Sequence, residues 1–313
     1  MERKMKATVT VCALLAVTVL LAAMGCWFCW HCPSRVYGAH ELFWRQLAWN
    51  GIGVAAFAAA WLAGWKRLLK AAPWLMLAWA VAIVFAQLSP AVRGTHRWVR
   101  LGTLRFNVVT CFMPTFALFV AWLHEKKWVR PWIEWAFFAA VAIACAALVY
   151  GDPSLMTRIA AHFSPDDHAW DKAYMSRQLH MAFEAARWFG GAGKDLGTLP
   201  CPESDGMLSA AALLFGKWFP SVVIALFALA GFCLAVLWRG TTERSKRRYV
   251  LLYGLWLVFP AAYCLLHSLS FLPVAGKSPA LVGYGGTAVV MAWWGIGALA
   301  AMCCGRAETR PTQ

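Results

Sequence analysis

The chain has 313 residues, of which 61% are hydrophobic and 14% are charged, and its formal net charge at pH 7 is +15. A soluble domain cannot bury that much apolar surface, so the composition excludes a water-soluble globular protein. In a soluble protein the positive charge would suggest nucleic-acid binding. In a membrane protein the excess of Lys and Arg in cytoplasmic loops accounts for much of it, so no nucleic-acid partner is expected.

Repeated apolar runs of about twenty residues, each about 30 Å long as a helix, predict membrane-spanning helices. The runs do not alternate between polar and apolar residues, as the strands of a membrane β-barrel would. We therefore predict an all-α polytopic membrane protein with a single integral membrane domain over residues 1–313. Its eight predicted spans cover roughly residues 8–30, 43–65, 72–90, 107–124, 131–150, 208–238, 249–272 and 281–303.

Basic residues cluster beside these spans at residues 3–6, 66–70, 126–130, 244–248 and 306–310. If eight spans alternate in direction, all five clusters lie on the same face of the membrane. Because Lys and Arg are enriched on the cytoplasmic side, both termini are expected to be cytoplasmic.

One long segment, residues 151–206, is predicted to be an extracytoplasmic loop. It holds eight of the fourteen acidic residues of the chain. Loops of this length are uncommon unless they have a function. Within it, residues 174–189 carry apolar side chains at helical spacing and polar ones on the other side, which predicts an amphipathic helix on the outer membrane surface.

The apolar run that follows, residues 208–238, is longer than a bilayer requires. The excess length predicts either a kink at Pro220 or a start that lies above the hydrocarbon core.

Two motif-like patterns carry little weight. Residues 190–195 (GGAGKD) lack both the Gly four residues before the Gly-Lys pair and the Ser or Thr after the Lys that a phosphate-binding loop requires, so a flexible turn is favoured. Cys26, Cys29 and Cys32 have the spacing of some metal or cluster sites, but they end an apolar helix with only His31 as a nearby fourth ligand. The sequence therefore identifies no cofactor and does not indicate a divalent metal.

Arg97, Arg100 and Arg105 form a basic group on the predicted outer side, where the topological rule requires none. Arginine forks suit phosphate oxygens, so binding of an anionic substrate is one explanation. Contact with lipid head groups is the other.

Asp205 is the last acid of the long loop and stands immediately before a new apolar run. A carboxylate at the mouth of a membrane helix is a candidate general base. The alternative is a structural role, because Asp is a favoured helix N-cap and Ser204 beside it could serve instead. Glu203 lies two residues away, and its charge would raise the proton affinity of Asp205.

Several segments, taken in chain order, resemble one family, the SEDS proteins (shape, elongation, division and sporulation; the FtsW, RodA and SpoVE group). The similar segments are residues 43–46 (FWRQ), 97–102 (RWVRLG), 152–157 (DPSLMT), Tyr174 and Gln178 with 193–197 (GKDLG), 199–205 (LPCPESD), and 272–276 (LPVAG) with 283–287 (GYGGT). The last pair is the most specific single match.

The resemblance implies a peptidoglycan glycosyltransferase that polymerises lipid II into glycan strands during cell division or elongation, by hexosyl transfer from an undecaprenyl-pyrophosphate donor. It also implies a multi-pass protein of the bacterial cytoplasmic (inner) membrane, in contact with membrane lipids. A penicillin-binding transpeptidase and other division or elongation proteins are the partners that it implies.

The family's motifs also assign roles to individual residues. The aspartate in the position of Asp205 is the family's proposed catalytic residue. The residues expected to bind substrate are Arg97, Trp98 and Arg100, with Arg45, Arg158 and Lys277 as weaker cation candidates. The secondary candidates are Glu203, Gln178 and Lys194.

The chain departs from the family in several ways. Eight spans are predicted where the family usually has ten, Leu213 and Leu214 occupy the places of paired glutamates, and Gly206 occupies the place of an aromatic residue. Two alternatives to the enzyme therefore stay open: a non-catalytic SEDS-like scaffold of a division or elongation complex, and a transporter (flippase) of a lipid-linked precursor. A transporter would need ionisable residues buried mid-membrane, and the central spans carry almost none. A lipid-linked sugar ligase is a further, weaker alternative.

Overall fold

The computed structural model describes residues 2–33, 38, 40–88, 98–101, 104–126, 156, 159–160, 162–164, 172–191, 199–274 and 278–304. The helices and strands within these residues are α1 (Glu2–His31), α2 (Glu41–Ala63), α3 (Trp65–Leu88), β1 (Trp98–Leu101), β2 (Leu104–Asn107), α4 (Val108–Glu125), α5 (Lys172–Ala185), α6 (Met207–Phe215), α7 (Trp218–Gly240), α8 (Arg244–Ser268) and α9 (Gly286–Cys304).

In the described part of the chain, seven helices are long and apolar enough to cross a membrane: α1 (from Met5), α2, α3, α4, α7, α8 and α9. The prediction of a polytopic helical membrane protein is confirmed, and seven of the eight predicted spans coincide with these helices. The remaining prediction, residues 131–150, lies outside the described residues.

The third span begins earlier than predicted. α3 starts at Trp65 instead of residue 72, and only Gly64 separates it from α2. The basic residues Lys66, Arg67 and Lys70 therefore lie in the first turns of a helix and not in a loop. Long basic side chains can extend from a helix end towards the membrane surface, which is why an apolar window alone misplaced this start.

The long apolar run after Asp205 is two helices, α6 and α7, instead of one kinked span. The break falls at Gly216, with φ 101°, and not at Pro220, which lies in the first turn of α7, where proline is tolerated. The backbone N–H groups of Lys217 and Trp218 donate to the carbonyls of Arg187 and Trp188, at 2.8 and 3.2 Å. The segment after α5 thus satisfies the donors that the break exposes.

The predicted amphipathic helix exists as α5, but its apolar face contacts protein. Leu179 is fully buried, and Met175, Ala182 and Phe183 pack against the core, whereas Phe189 is exposed. α5 packs against α6 and α8. The prediction that this face rests on the membrane surface is therefore wrong, because the short α6 supplies a protein surface for it.

A two-stranded antiparallel hairpin, which the sequence did not suggest, precedes α4. Its register pairs Trp98 with Asn107 and Arg100 with Arg105. The Asn107 side chain accepts a hydrogen bond from the Thr110 N–H at 3.2 Å and so caps α4.

The core of the bundle is the close packing of α2 against α9. A Cβ at Gly297 would lie 2.4 Å from the carbonyl oxygen of Phe57, so only glycine permits this approach. The Asn50 side chain accepts a hydrogen bond from Trp293 Nε1 at 3.0 Å across the same interface.

The bundle has two distinct ends. At one end, which we call the basic end, the Trp65 and Tyr249 rings lie 5.3 Å apart and the Ser245 hydroxyl donates to Glu125 at 2.9 Å. These contacts bring together the starts of α3 and α8 and the end of α4, each beside a predicted basic cluster. The segment that contains Asp205 lies at the other end, so the described clusters at 66–70 and 244–248 are separated from this part of the acidic loop.

Candidate functional site

Two of the segments that carry the family resemblance, 43–46 and 199–205, contact the loop of residues 278–286, which contains most of a third and leads into α9. The Tyr284 N–H donates to the Glu203 carbonyl at 2.8 Å. From α2, Gln46 Nε2 donates to the Leu281 carbonyl at 3.1 Å. The N–H of Asn107, at the end of the hairpin, donates to the Thr287 hydroxyl at 3.3 Å. Residues far apart in the chain are thus joined around one loop.

This 278–286 loop is held in an unusual backbone conformation. Leu281 has φ 74°, a left-handed value that a branched apolar residue rarely adopts, and its side chain is fully buried. α1 approaches so closely that a Cβ at Gly25 would collide with the Leu281 carbonyl oxygen. Burial, the Gln46 hydrogen bond and the contact with α1 together hold this conformation in place.

The 199–206 loop forms a tight turn that presents Asp205. The Cys201 carbonyl accepts hydrogen bonds from the N–H groups of both Ser204 and Gly206, at 3.1 and 3.0 Å, and Cys201 itself has φ 47°. Gly206 is the N-cap of α6, so neither Asp205 nor Ser204 occupies the capping position that the sequence suggested. Asp205 is half-buried and lies one residue before the cap.

The glycine after Asp205 has a packing reason. A Cβ at Gly206 would lie 2.7 Å from Leu179 Cδ2 and 2.9 Å from the Pro200 carbonyl oxygen. The buried side chain of Leu179, on α5, thus fills the space beside this position. This contact explains why the chain has glycine here, at the position where the family has an aromatic residue.

Two thiols lie beside the acids of this loop. Glu203 is close enough to Cys32, just beyond the end of α1, for its charge to act on the thiol, and burial together with Glu203 raises the pKa of Cys32 to about 12. Asp205 lies within electrostatic range of Cys264 on α8. Burial and the neighbouring carboxylate thus keep the Cys32 thiol protonated at neutral pH. Among the residues that the structure describes, no group of three His, Cys, Asp or Glu side chains is arranged to hold a metal ion.

Only some of the predicted cations lie among the described residues. Arg45 forms an ion pair with Glu41 one turn earlier on α2, at 2.7 Å, and both side chains are exposed. Trp98 is half-buried at the start of the hairpin, and the hairpin register sets Arg100 opposite Arg105. The four other predicted cations lie outside the described residues: Arg97, Arg158, Lys194 and Lys277.

The structure adds residues that sequence reasoning did not assign to the site. Gln46 and Tyr284 lie within segments that resemble the family, and those segments were the available signal for both. Cys264 carried no signal, because one cysteine in an apolar helix is usually a small hydrophobic residue. The predicted Gln178 is half-buried on α5, beside the Leu179 that packs on Gly206.

Relatives of the chain are found by sequence. It is 23% identical over 326 residues to the probable peptidoglycan glycosyltransferase FtsW of Thioalkalivibrio sp. (strain K90mix), a match that covers 84% of this chain and 81% of that protein. It is 24% identical over 317 residues to the protein of the same name from Aromatoleum aromaticum, with coverage of 82% and 77%. No family model matches the chain.

Solved structures share the fold. A chain from a peptidoglycan synthase complex that coordinates polymerization and crosslinking superposes with a TM-score of 0.69 at 16% identity, over 95% of this chain and 98% of that chain. The rod shape determining protein RodA of Thermus thermophilus superposes with a TM-score of 0.69 at 18% identity, over 95% and 97% of the two chains. At these identities the likeness establishes a common fold.

Proposed function

We propose that this chain, which is a divergent member of the SEDS family, is a peptidoglycan glycosyltransferase that polymerises lipid II into glycan strands. The observation that carries the proposal is that the family-like segments 43–46 and 199–205, the second of which ends at Asp205, are both hydrogen-bonded to the 278–286 loop, which carries most of a third such segment. The relatives matched by sequence over more than four-fifths of this chain carry the name of that activity.

Asp205 is the proposed general base. The reaction joins a sugar hydroxyl to an anomeric carbon that carries a lipid pyrophosphate, and a hydroxyl is a poor nucleophile at neutral pH. A carboxylate within hydrogen-bond reach takes the hydroxyl proton as the new bond forms, which typically contributes about 10²–10⁴-fold. The Cys201 turn and the Tyr284 hydrogen bond give the segment around Asp205 a defined backbone position, which a positioned base requires.

The hairpin is the proposed site for the leaving pyrophosphate. Its register pairs Arg100 with Arg105, and arginine forks suit phosphate oxygens. Cations at this site would stabilise the charge that develops on the leaving group. Arg97, Arg158 and Lys277 are proposed as further cations for the pyrophosphate. Arg45 is a weaker candidate, because its guanidinium is already paired with Glu41.

The test is polymerisation of labelled lipid II by the purified full-length chain, with and without a partner transpeptidase. Asp205→Asn should lower the rate by about 10²–10⁴-fold, because it removes the base and keeps the size of the side chain. Glu203→Gln is the matched control: it neutralises the neighbouring acid and should retain polymerisation. Unaltered activity in Asp205→Asn, with a native elution profile and melting temperature, would refute the assignment of the base.

Inactivity of the unaltered chain, with and without a transpeptidase, would favour a non-catalytic scaffold. The specific observation for that alternative is Leu213, which is buried in α6 at a place where the family has glutamate. The transporter alternative has less support. Among the described residues, the buried polar side chains include no Asp, Glu, Lys or Arg.

The setting of the reaction follows from the same proposal. The chain is a multi-pass membrane protein, and we place it in the bacterial cytoplasmic membrane with loop 151–206 on the outer side, where lipid II is used. A penicillin-binding transpeptidase is the proposed partner, supported by the likeness to a chain from a complex that combines polymerization and crosslinking.

A further inference from the structure

A cavity at the basic end, far from Asp205, has no role in the proposed reaction. It has a volume of about 350 Å³ and is lined by Trp238 of α7, Thr242 of the short connection, and Arg244, Arg247 and Arg248 of α8. Arg247 and Cys264, the α8 neighbour of Asp205, are separated along that helix by about 26 Å at 1.5 Å per residue. The cavity is therefore separate from the candidate active site.

Three of the five lining residues are arginines, and a fourth is a threonine. The Arg247 guanidinium lies 3.9 Å from the centroid of the Trp238 ring, and this stacking fixes its position. Arginine forks bind phosphate oxygens through paired hydrogen bonds. The cavity thus has the chemistry of a phosphate site.

Two acids close to the lining residues each have a hydrogen-bonded partner outside the lining. Glu243 accepts from Lys246 Nζ at 2.7 Å, and Glu125 accepts from the Ser245 hydroxyl at 2.9 Å. Neither carboxylate belongs to the lining, and the described lining residues include no acid. The described walls of the cavity therefore contribute arginines and no carboxylate.

An apolar stripe extends from the cavity along α8 towards the middle of the bundle. Leu255 and Phe259 follow Arg248 by seven and eleven residues, which is the spacing of one helix face. Both are exposed, at 57% and 62%. In a membrane-spanning helix an exposed apolar face contacts acyl chains, so a molecule with its phosphate in the cavity would place its chains along this stripe.

We propose that this cavity binds an anionic phospholipid, with the head-group phosphate held by Arg244, Arg247 and Arg248 and an acyl chain along Leu255 and Phe259. The charge of the lining selects an anion, and the adjoining stripe selects a lipid over a soluble phosphate. Such a site differs from the general attraction of basic loops to a membrane surface, because Lys and Arg serve that attraction equally. A guanidinium site in a cavity requires Arg.

The test uses the purified full-length chain, exchanged into micelles that contain equal amounts of dioleoyl phosphatidylglycerol and dioleoyl phosphatidylcholine. Retained lipid is then quantified by mass spectrometry. The unaltered protein should retain the anionic lipid in excess. Arg244→Lys with Arg247→Lys should lower that excess by about tenfold, because charge is kept while the paired hydrogen bonds are lost. Arg67→Lys, on the exposed surface of α3 at the same end, is the matched control and should change nothing.

Three results would overturn the proposal. One is equal retention of the two lipids by the unaltered protein, and another is an equal loss in Arg67→Lys. The third is complete displacement of the anionic lipid by excess inorganic phosphate, which would assign the cavity to a soluble anion. Melting temperatures of all variants in lipid-free detergent exclude misfolding as the cause. The measurement does not depend on polymerisation, so it tests the lipid site independently of the proposed enzyme activity.

Discussion

The hydrogen bond from Gln46 to the Leu281 carbonyl links α2 to the 278–286 loop, and its removal tests whether that loop positions the site. Gln46 is fully buried and its Nε2 lies 3.1 Å from the Leu281 oxygen. Gln46→Leu removes the donor and keeps a side chain of similar size. A buried carbonyl left without its donor costs about 1–3 kcal/mol.

Part of that cost is offset. Gln46 Oε1 is itself buried and makes no hydrogen bond within the described part of the chain, so replacing the amide also removes a buried acceptor without a partner there. We expect a net destabilisation of about 1–2 kcal/mol, which for a chain of this size lowers the melting temperature in detergent by about 1.5–3 °C.

The effect on activity should exceed the effect on stability. A displaced 278–286 loop shifts Tyr284, whose N–H holds the Glu203 carbonyl two residues before Asp205. A misplacement of about 1 Å in a reacting group can cost about 10²-fold, so Gln46→Leu should lower lipid II polymerisation by about 10–100-fold at a temperature where the protein stays folded.

The matched control is Asn50→Leu, one turn along the same helix. Asn50 is also buried, and its side chain accepts from Trp293 Nε1 and donates to the Gln46 carbonyl and the Cys26 sulfur, none of which belongs to the 278–286 loop. It should lower the melting temperature by a similar amount and retain most of the polymerisation rate. Equal losses of activity in the two variants would refute the positioning role of the loop, and an unchanged melting temperature in Gln46→Leu would refute the hydrogen-bond argument itself.

Two further predictions concern the backbone and the thiols. Gly216→Ala should lower the free energy of unfolding by about 1–3 kcal/mol, because φ is 101° at this residue and a Cβ would lie 2.6 Å from the Trp188 carbonyl oxygen. Thermal melts measure this change. Gly240→Ala is the control, because a Cβ at that position contacts no other atom. Cys32 has a raised pKa of about 12 in the folded protein, against an ordinary value of 9.0, so the folded state holds its proton more tightly and stability should fall as pH rises from 9 towards 12. Melting temperatures at pH 8 and pH 10 should differ less in Cys32→Ala than in the unaltered chain, and equal differences would contradict the assignment.

The sequence alone determined the class of fold and the separation of charge. Runs of apolar residues report helices that cross a bilayer, because each run must match the hydrocarbon thickness whatever its neighbours are. The basic clusters at 66–70 and 244–248 likewise marked one end of the bundle, and the resemblance of short segments indicated the SEDS family. These signals are local in the chain, so they can be read without tertiary information.

The tertiary structure decided where helices break and what the acidic loop contacts. The division at Gly216 depends on the carbonyls of Arg187 and Trp188, which are distant in sequence from any signal in the apolar run. The capping of α6 by Gly206 and the burial of Leu179 against it depend in the same way on α5 folding back on the bundle. Hydrophobic patterns record which residues avoid water, but they do not record which partner covers them.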